Sequence, residues 1–225
     1  MFSIQPIARN KSFVNRLNGR KSNCLLLPSF GIVLYVILYY VATLFYPGGS
    51  QFHKNSKGFS WAQNYWCNLL NERAINGQYN AARPIGITAM IVLCIALIIF
   101  WYIFSIQIPF KKISGILIRV SGFVSMVIGM FIFIGPHDLI MNVAMFFGLI
   151  AIGGTFAGIK KMRYNKLFLM GIFILFLIVL NNVLYYGTGL LVYLPVVQKI
   201  TFLVFLLWIV LINVQLYNYS KHRIS

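Results

Sequence analysis

Acid is almost absent from this chain. Its 225 residues include two carboxylates, Glu72 and Asp138, against 19 Lys and Arg, a formal net charge of +17. Any general acid/base or carboxylate-metal mechanism must therefore use one of these two side chains. Cysteine is scarce as well. Cys24, Cys67 and Cys94 form no Cys-x-x-Cys pair for zinc or redox chemistry and no even set for a disulfide framework. No Gly-rich phosphate loop runs into Lys-Ser/Thr. Charge of either sign is rare, at 9% of residues, where a soluble domain carries about 25%. Such a chain cannot cover itself with a water-compatible surface.

What it has instead is long apolar sequence. Hydrophobic residues make up 60% of the chain, and the mean hydropathy is +0.83. A span needs about 20 consecutive apolar residues. Six runs qualify, at 25–46, 84–107, 115–135, 136–159, 167–186 and 195–216, the third and fourth divided only by Gly135-Pro136-His137-Asp138. Backbone groups in lipid must be satisfied within their own segment, so these runs are expected to be helices. The fold class is all-α: a six-span membrane bundle over 25–217 between a basic tail, 1–24, and a short tail, 218–225. The first run is too long for a signal-peptide core and no small-x-small site follows it, so an uncleaved anchor is expected.

Basic residues set the orientation. Arg9, Lys11, Arg16, Arg20, Lys21, Lys111, Lys112, Arg119, Lys160, Lys161, Arg163, Lys166, Lys221 and Arg223 fall on one side of the six runs. Lys54, Lys57, Arg73, Arg83 and Lys199 fall on the other. Cytoplasmic loops are the basic ones, so both termini are expected inside and the loop 47–83 outside. The inner cations should attract anionic headgroups. This distribution speaks for membrane lipids as partners and against nucleic acid.

The loop 47–83 opens with Pro47-Gly48-Gly49-Ser50, a break. A short helix is expected from Ser60 to about Asn71, with Trp61, Tyr65 and Leu69 on one face, lying in the membrane interface. The third run spaces Ser121, Ser125 and Gly129 four apart, and Gly115, Gly122 and Gly129 seven apart. The fourth carries Ala144, Gly148, Ala151, Gly154 and Gly158. Small faces let helices approach closely in lipid. Packing within one chain and a homo-oligomer through these faces are both open, with Gly129 expected at a close contact.

Polar residues within or beside the runs gather toward the outer end. His137 and Asp138 are adjacent at the mouth of the fourth run, with Asn142 a turn below. Asn181 and Asn182, then Tyr185 and Tyr186, lie near the outer end of the fifth. Arg83 precedes Pro84 and could clamp a phosphate. Each has a structural alternative: a helix-start acid for Asp138, interhelical bonding for the asparagines, snorkelling for Arg83. Polar side chains at membrane depth should satisfy one another or a ligand. The expected site is therefore an outer cavity formed by Arg83, His137, Asp138, Asn142 and Asn182, capped by Trp61 and Tyr65. No cofactor or metal is expected, since His53, Glu72, His137 and Asp138 carry no ligand spacing. Without Gly-x-Ser-Gly near a membrane histidine, a rhomboid-type serine protease is set aside.

The stretch from Gly58 through Trp61, Asn64, Tyr65, Trp66, Cys67, Asn68 and Leu69 to Leu70, followed by Asn76-Gly77 and Asn80, resembles the first outer loop of the uncharacterised prokaryotic six-helix family related to the DRAM/Frag membrane proteins. The segment from His137 to Met145 resembles their fourth span. Cys67 stands where that family has Ser, Asn68 where it has Asp, and Leu70 where it has Gly. The resemblance implies a six-span fold, a prokaryotic plasma membrane and a loose link to membrane lipids, and no particular activity. The expected function is non-enzymatic contact with lipid headgroups or a small amphiphile at the outer face. The alternatives are a transporter or channel-like protein, or a lipid-modifying membrane enzyme using Asp138 or Glu72 with His137.

Overall fold

The structure, a computed structural model, describes residues 23–132, 137–187 and 189–221; for Asn23, His137, Asp138, Ser220 and Lys221 it describes the backbone alone. Most of the basic N-terminal tail, the break at Gly135-Pro136, and His222 and Arg223 lie outside the described residues.

Apolar sequence becomes helix wherever the hydropathy is sustained. Six helices are long and apolar enough to cross a membrane. They are α1 (Leu27–Leu44), α2 (Arg83–Gln107), α3 (Lys112–Gly129), α4 (His137–Met162), α5 (Asn165–Tyr186) and α6 (Leu194–Lys221). Two of the starts carry a local signal. Pro28 and Pro84 occupy the first turns of α1 and α2, where a missing N–H costs nothing because those donors have no helical partner.

Consecutive helices pack side by side along the chain, and α6 returns against α1 and α2 to close the bundle. One end, the cap end, carries the folded segment between α1 and α2. The other carries the start of α1, the α2–α3 and α4–α5 turns and the end of α6. At this terminus end Lys111, Lys112, Lys160, Lys161, Arg163 and Lys166 are all exposed. The outer surface between the ends is apolar: Phe30, Ile37, Leu117, Phe146, Phe176 and Leu207, among many others, are exposed. A belt of this kind is what lipid tails require and what water would penalise.

The core lies on α2, whose most apolar stretch is 44% buried against 17% for that of α4. Phe100, Trp101 and Phe104 of α2 are sealed in with Trp208, Ile209, Ile212 and Leu216 of α6. Small residues admit these rings. A Cβ on Gly122 would stand 2.7 Å from the Trp101 ring, and one on Gly154 would run into Ile118. Those faces of the third and fourth spans are therefore occupied by the chain's own side chains. Gly129 differs from the expectation: among the described residues nothing lies within 4 Å of the place its Cβ would take. The α3 helix ends there, and the small-residue stripe outlasts the contact it serves.

Hydrogen bonds join both neighbouring and non-neighbouring helices. Ser125 Oγ donates to Ala144 O at 2.7 Å, Trp101 Nε1 to Thr155 Oγ1 at 3.2 Å, Trp208 Nε1 to Leu167 O at 2.8 Å, and Asn213 Nδ2 to Ser29 Oγ at 2.8 Å. Bonds of this type in a membrane are worth about 0.6 kcal/mol each on average, so they set register more than they supply stability.

Candidate functional site

The segment between α1 and α2 folds as a cap, and asparagines organise it. Irregular backbone has no ladder to satisfy it, so side-chain amides take that role. Asn64, Asn68 and Asn80 are all buried. Asn64 Oδ1 accepts from Ser60 N at 2.8 Å while its Nδ2 donates to Gly49 O at 2.8 Å. Asn68 Oδ1 accepts from Tyr65 N at 2.7 Å. Asn80 Nδ2 donates to Asn68 O at 3.1 Å and Asn71 O at 2.9 Å, and its Oδ1 accepts from Ala82 N at 3.2 Å.

These bonds explain why the expected helix over Ser60–Asn71 is not continuous. A turn at 61–63 is followed by a 3₁₀ helix, Trp66–Leu70. Asn68 Oδ1 holds Tyr65 N, the donor that a through-running helix would give to Trp61 O, whereas Ser60 N, at the start of such a helix, has no helical acceptor in any case. Gly49 completes the framework: its φ is +82°, and a Cβ there would meet Asn76 N. Only glycine takes both the conformation and the space.

The cap is pinned to the helix ends beneath it. Tyr39 Oη of α1 donates to Trp66 O at 2.7 Å, and Tyr46 Oη accepts from Ile75 N at 3.1 Å. An aromatic cluster fills the junction. The Trp66 ring lies 4.6 Å from Tyr39, 6.0 Å from Trp61 and 6.3 Å from Phe202 of α6. Trp61 is partly exposed and stacks 6.3 Å from Tyr40.

The third pin is Lys199, a residue sequence reading treats only as one more outer charge. It sits one turn into α6 and is 6% exposed. Its ammonium donates to Asn64 O of the cap and to Pro195 O at 2.8 Å, and stands 5.7 Å from the Phe59 ring centre. Glu72 is the one carboxylate among the described side chains, and it is exposed. Lys199 is thus a buried cation held by carbonyl oxygens and a ring face, an arrangement that compensates desolvation with dipoles instead of an opposite charge. A lone lysine one turn into a mostly apolar run is the signal that could have found it. Close by, burial holds the Cys67 thiol above its ordinary range. A backbone hydrogen bond and the Lys199 ammonium offset part of that shift. Cys67 is therefore a protonated, weakly nucleophilic thiol at neutral pH.

The expected site residues are distributed as follows. Trp61 and Tyr65 belong to the cap. Arg83 begins α2 at the foot of the cap, half-buried, with its Nε buried and without a protein partner. Asn182 is exposed and donates back to Ile178 O of its own helix at 2.9 Å. Asn142 is exposed on α4. His137 and Asp138 form the first turn of α4 at the cap end, and their side chains lie outside the described atoms. Trp61 thus lies against α1, while Asn142 and Asn182 stand on the outer surfaces of α4 and α5.

A second group was not anticipated. On α6, Gln198, Thr201 and Phe202 share one face at i, i+3 and i+4. Asn181 Nδ2 of α5 donates to Thr201 Oγ1 at 2.7 Å and to Leu177 O at 2.8 Å, while Thr201 Oγ1 donates to Val197 O at 2.8 Å. These bonds orient the Asn181 amide and leave Oδ1 as an acceptor. Asn181 Oδ1, Gln198 Oε1 and Trp66 Nε1 are all buried with no partner among the described residues. Two acceptors and one donor are thereby left open around a single turn of α6. Comparison of the chain with family models, curated proteins and solved structures yields no match.

Proposed function

We propose that this is a non-enzymatic membrane protein, with termini in the cytoplasm and the cap outside, that holds the headgroup of a membrane lipid or small amphiphile at its outer end. One observation carries the reading: Trp66 Nε1, Asn181 Oδ1 and Gln198 Oε1 are buried beside one turn of α6 without protein partners. Buried polar atoms are nearly always paired, and an unpaired one costs about 1–3 kcal/mol. Three of them beside one aromatic junction suit a group that both donates and accepts, such as a hydroxylated headgroup. The exposed Trp61, Phe52 and Tyr79 of the cap fit the depth at which such headgroups lie. The resemblance of the cap segment to the DRAM/Frag-related family belongs to the same reading.

Native mass spectrometry of the purified protein tests it. Wild type is expected to retain a lipid or amphiphile that Gln198→Leu and Trp66→Phe release. Gln198→Leu should melt no lower than wild type, because it removes an orphaned acceptor. Unchanged retention in both variants would refute the site. Orientation is tested by cysteines introduced at Gln51 and Tyr79, which should react with an impermeant maleimide in intact cells; reaction only after lysis would reverse the topology.

A further inference from the structure

The terminus end holds a separate cavity of about 170 Å³ where the α2–α3 turn, the α4–α5 turn and the last turns of α6 meet. Its apolar lining includes Ile108 and Leu216, both buried, and its lining also includes Pro109, Lys161, Arg163 and Tyr164. Two cations line it. Lys161 Nζ donates to Pro109 O at 2.5 Å and lies 5.5 Å from the Phe110 ring centre, so its charge is fixed in place by two contacts. One hydrogen bond leaves it two further N–H donors.

Arg163 is held in an unusual way. It is the one non-glycine residue among those described with a left-handed backbone, φ +59°. It closes α4: Arg163 N donates to Lys160 O at 3.2 Å and Tyr164 N to Ile159 O at 3.3 Å. This is a helix stop at which glycine is the ordinary choice, because a Cβ is strained there. A guanidinium is carried instead, at the wall of the cavity. Among the described side chains no acid answers these charges nearby. Glu72 belongs to the cap, and Asp138 begins α4, about 36 Å along the helix from its last turn at 1.5 Å per residue.

We infer that this cavity is a phosphate-binding site, with Arg163 and Lys161 as its donors, taking the phosphate of an anionic phospholipid headgroup or of a soluble phosphate compound. A guanidinium fits phosphate bidentately and an ammonium supplies a point charge. Ile108 and Leu216 supply an apolar wall on which the first methylenes of a lipid's acyl chains can rest. The inference is independent of the outer-end reading, because it uses different residues at the opposite end of the bundle.

The test is thermal unfolding of the purified full-length protein in neutral detergent, titrated with short-chain phosphatidylglycerol, short-chain phosphatidylcholine or sodium phosphate. Phosphatidylglycerol is expected to raise the melting temperature and phosphatidylcholine is not. Arg163→Gln and Arg163→Gly should each weaken the response about tenfold in ligand concentration. Without ligand, Arg163→Gly should melt above wild type, since glycine relieves the strained backbone. Lys112→Gln, an exposed cation outside the lining, should respond like wild type. A response to sodium phosphate equal to that with phosphatidylglycerol would assign the site to soluble phosphate, and a lipid-only response to the headgroup. Equal shifts with both lipids in wild type would overturn the site. So would an undiminished response in Arg163→Gln, or an equal loss in Lys112→Gln, which would mark diffuse charge attraction.

Discussion

The cap and the bundle solve the same problem with opposite means. In the bundle, each helix satisfies its own backbone, and side chains are left to pack: rings on α2 and α6 meet glycines on α3, α4 and α5. In the cap there is no helix ladder to rely on, and Asn64, Asn68 and Asn80 pair the backbone one group at a time. The same residue type behaves differently in the two regions. Asn64, Asn68 and Asn80 have no buried side-chain atom left unpaired among the described residues and act as cross-links. Asn181, on a helix whose backbone needs nothing from it, bonds one neighbour and keeps an open acceptor. Binding in such a protein is to be sought among the leftover groups. Polar side chains that complete a backbone are structural, and polar side chains left over by a self-sufficient backbone are available to a ligand.

The sharpest way to break this comparison is to remove a cross-link. Asn80→Ala strips two carbonyls and one amide of their partner, and should cost about 3 kcal/mol at roughly 1 kcal/mol per bond, read as a lower melting temperature in detergent. Asn182→Ala, by contrast, removes only a bond to its own helix from an exposed position and should stay within about 0.5 kcal/mol. Equal losses in the two variants would erase the distinction between cap and bundle asparagines.

On the bundle side, Gly122→Leu drives a side chain into the Trp101 ring and should destabilise by about 1–3 kcal/mol. Gly129→Leu, with open space around it, should change stability by less than about 0.5 kcal/mol. A melting temperature that fell as far for Gly129→Leu would show that this position is covered by something other than the described residues.

The smallest effect expected is chemical. Folding raises the Cys67 pKa, so the folded protein keeps this proton at pH values where a free thiol of pKa about 8.5 is already losing it. Alkylation at pH 8 should therefore run slower than for a free thiol, and should keep accelerating at higher pH after the free thiol has levelled off. In linkage terms the contribution to stability is intact below the unfolded pKa and is lost as pH rises through the folded one. Alkylation that levelled off with the free thiol would contradict a buried Cys67.

The six long apolar helices and their order are legible in the amino-acid sequence, because hydropathy and length mark a candidate span without reference to any other part of the chain. Some limits are not, since the 115–135 run becomes α3, which begins at Lys112 and ends at Gly129. The 195–216 run and α6 differ by only a few residues at the end, where polar Tyr217 to Lys221 prolongs the helix. The concentration of cations at one end is legible for the same reason: it is a property of each turn by itself. How distant parts of the chain meet depends on the packed fold. Trp61, Tyr65 and Leu69 have helical spacing, yet Asn64 and Asn68 turn the segment back on Gly49 and Tyr65, fifteen residues and three residues away. Lys199 and Asn64 are separated by 135 positions and no local pattern links them. The open atoms of Trp66, Asn181 and Gln198 come from the cap and two helices, and only packing against α6 sets Trp66 beside Phe202 and Asn181 beside Thr201. Periodicity reports which face of a segment is apolar. Which partner covers that face, and which polar atoms remain uncovered, is set by the three-dimensional closure of the bundle.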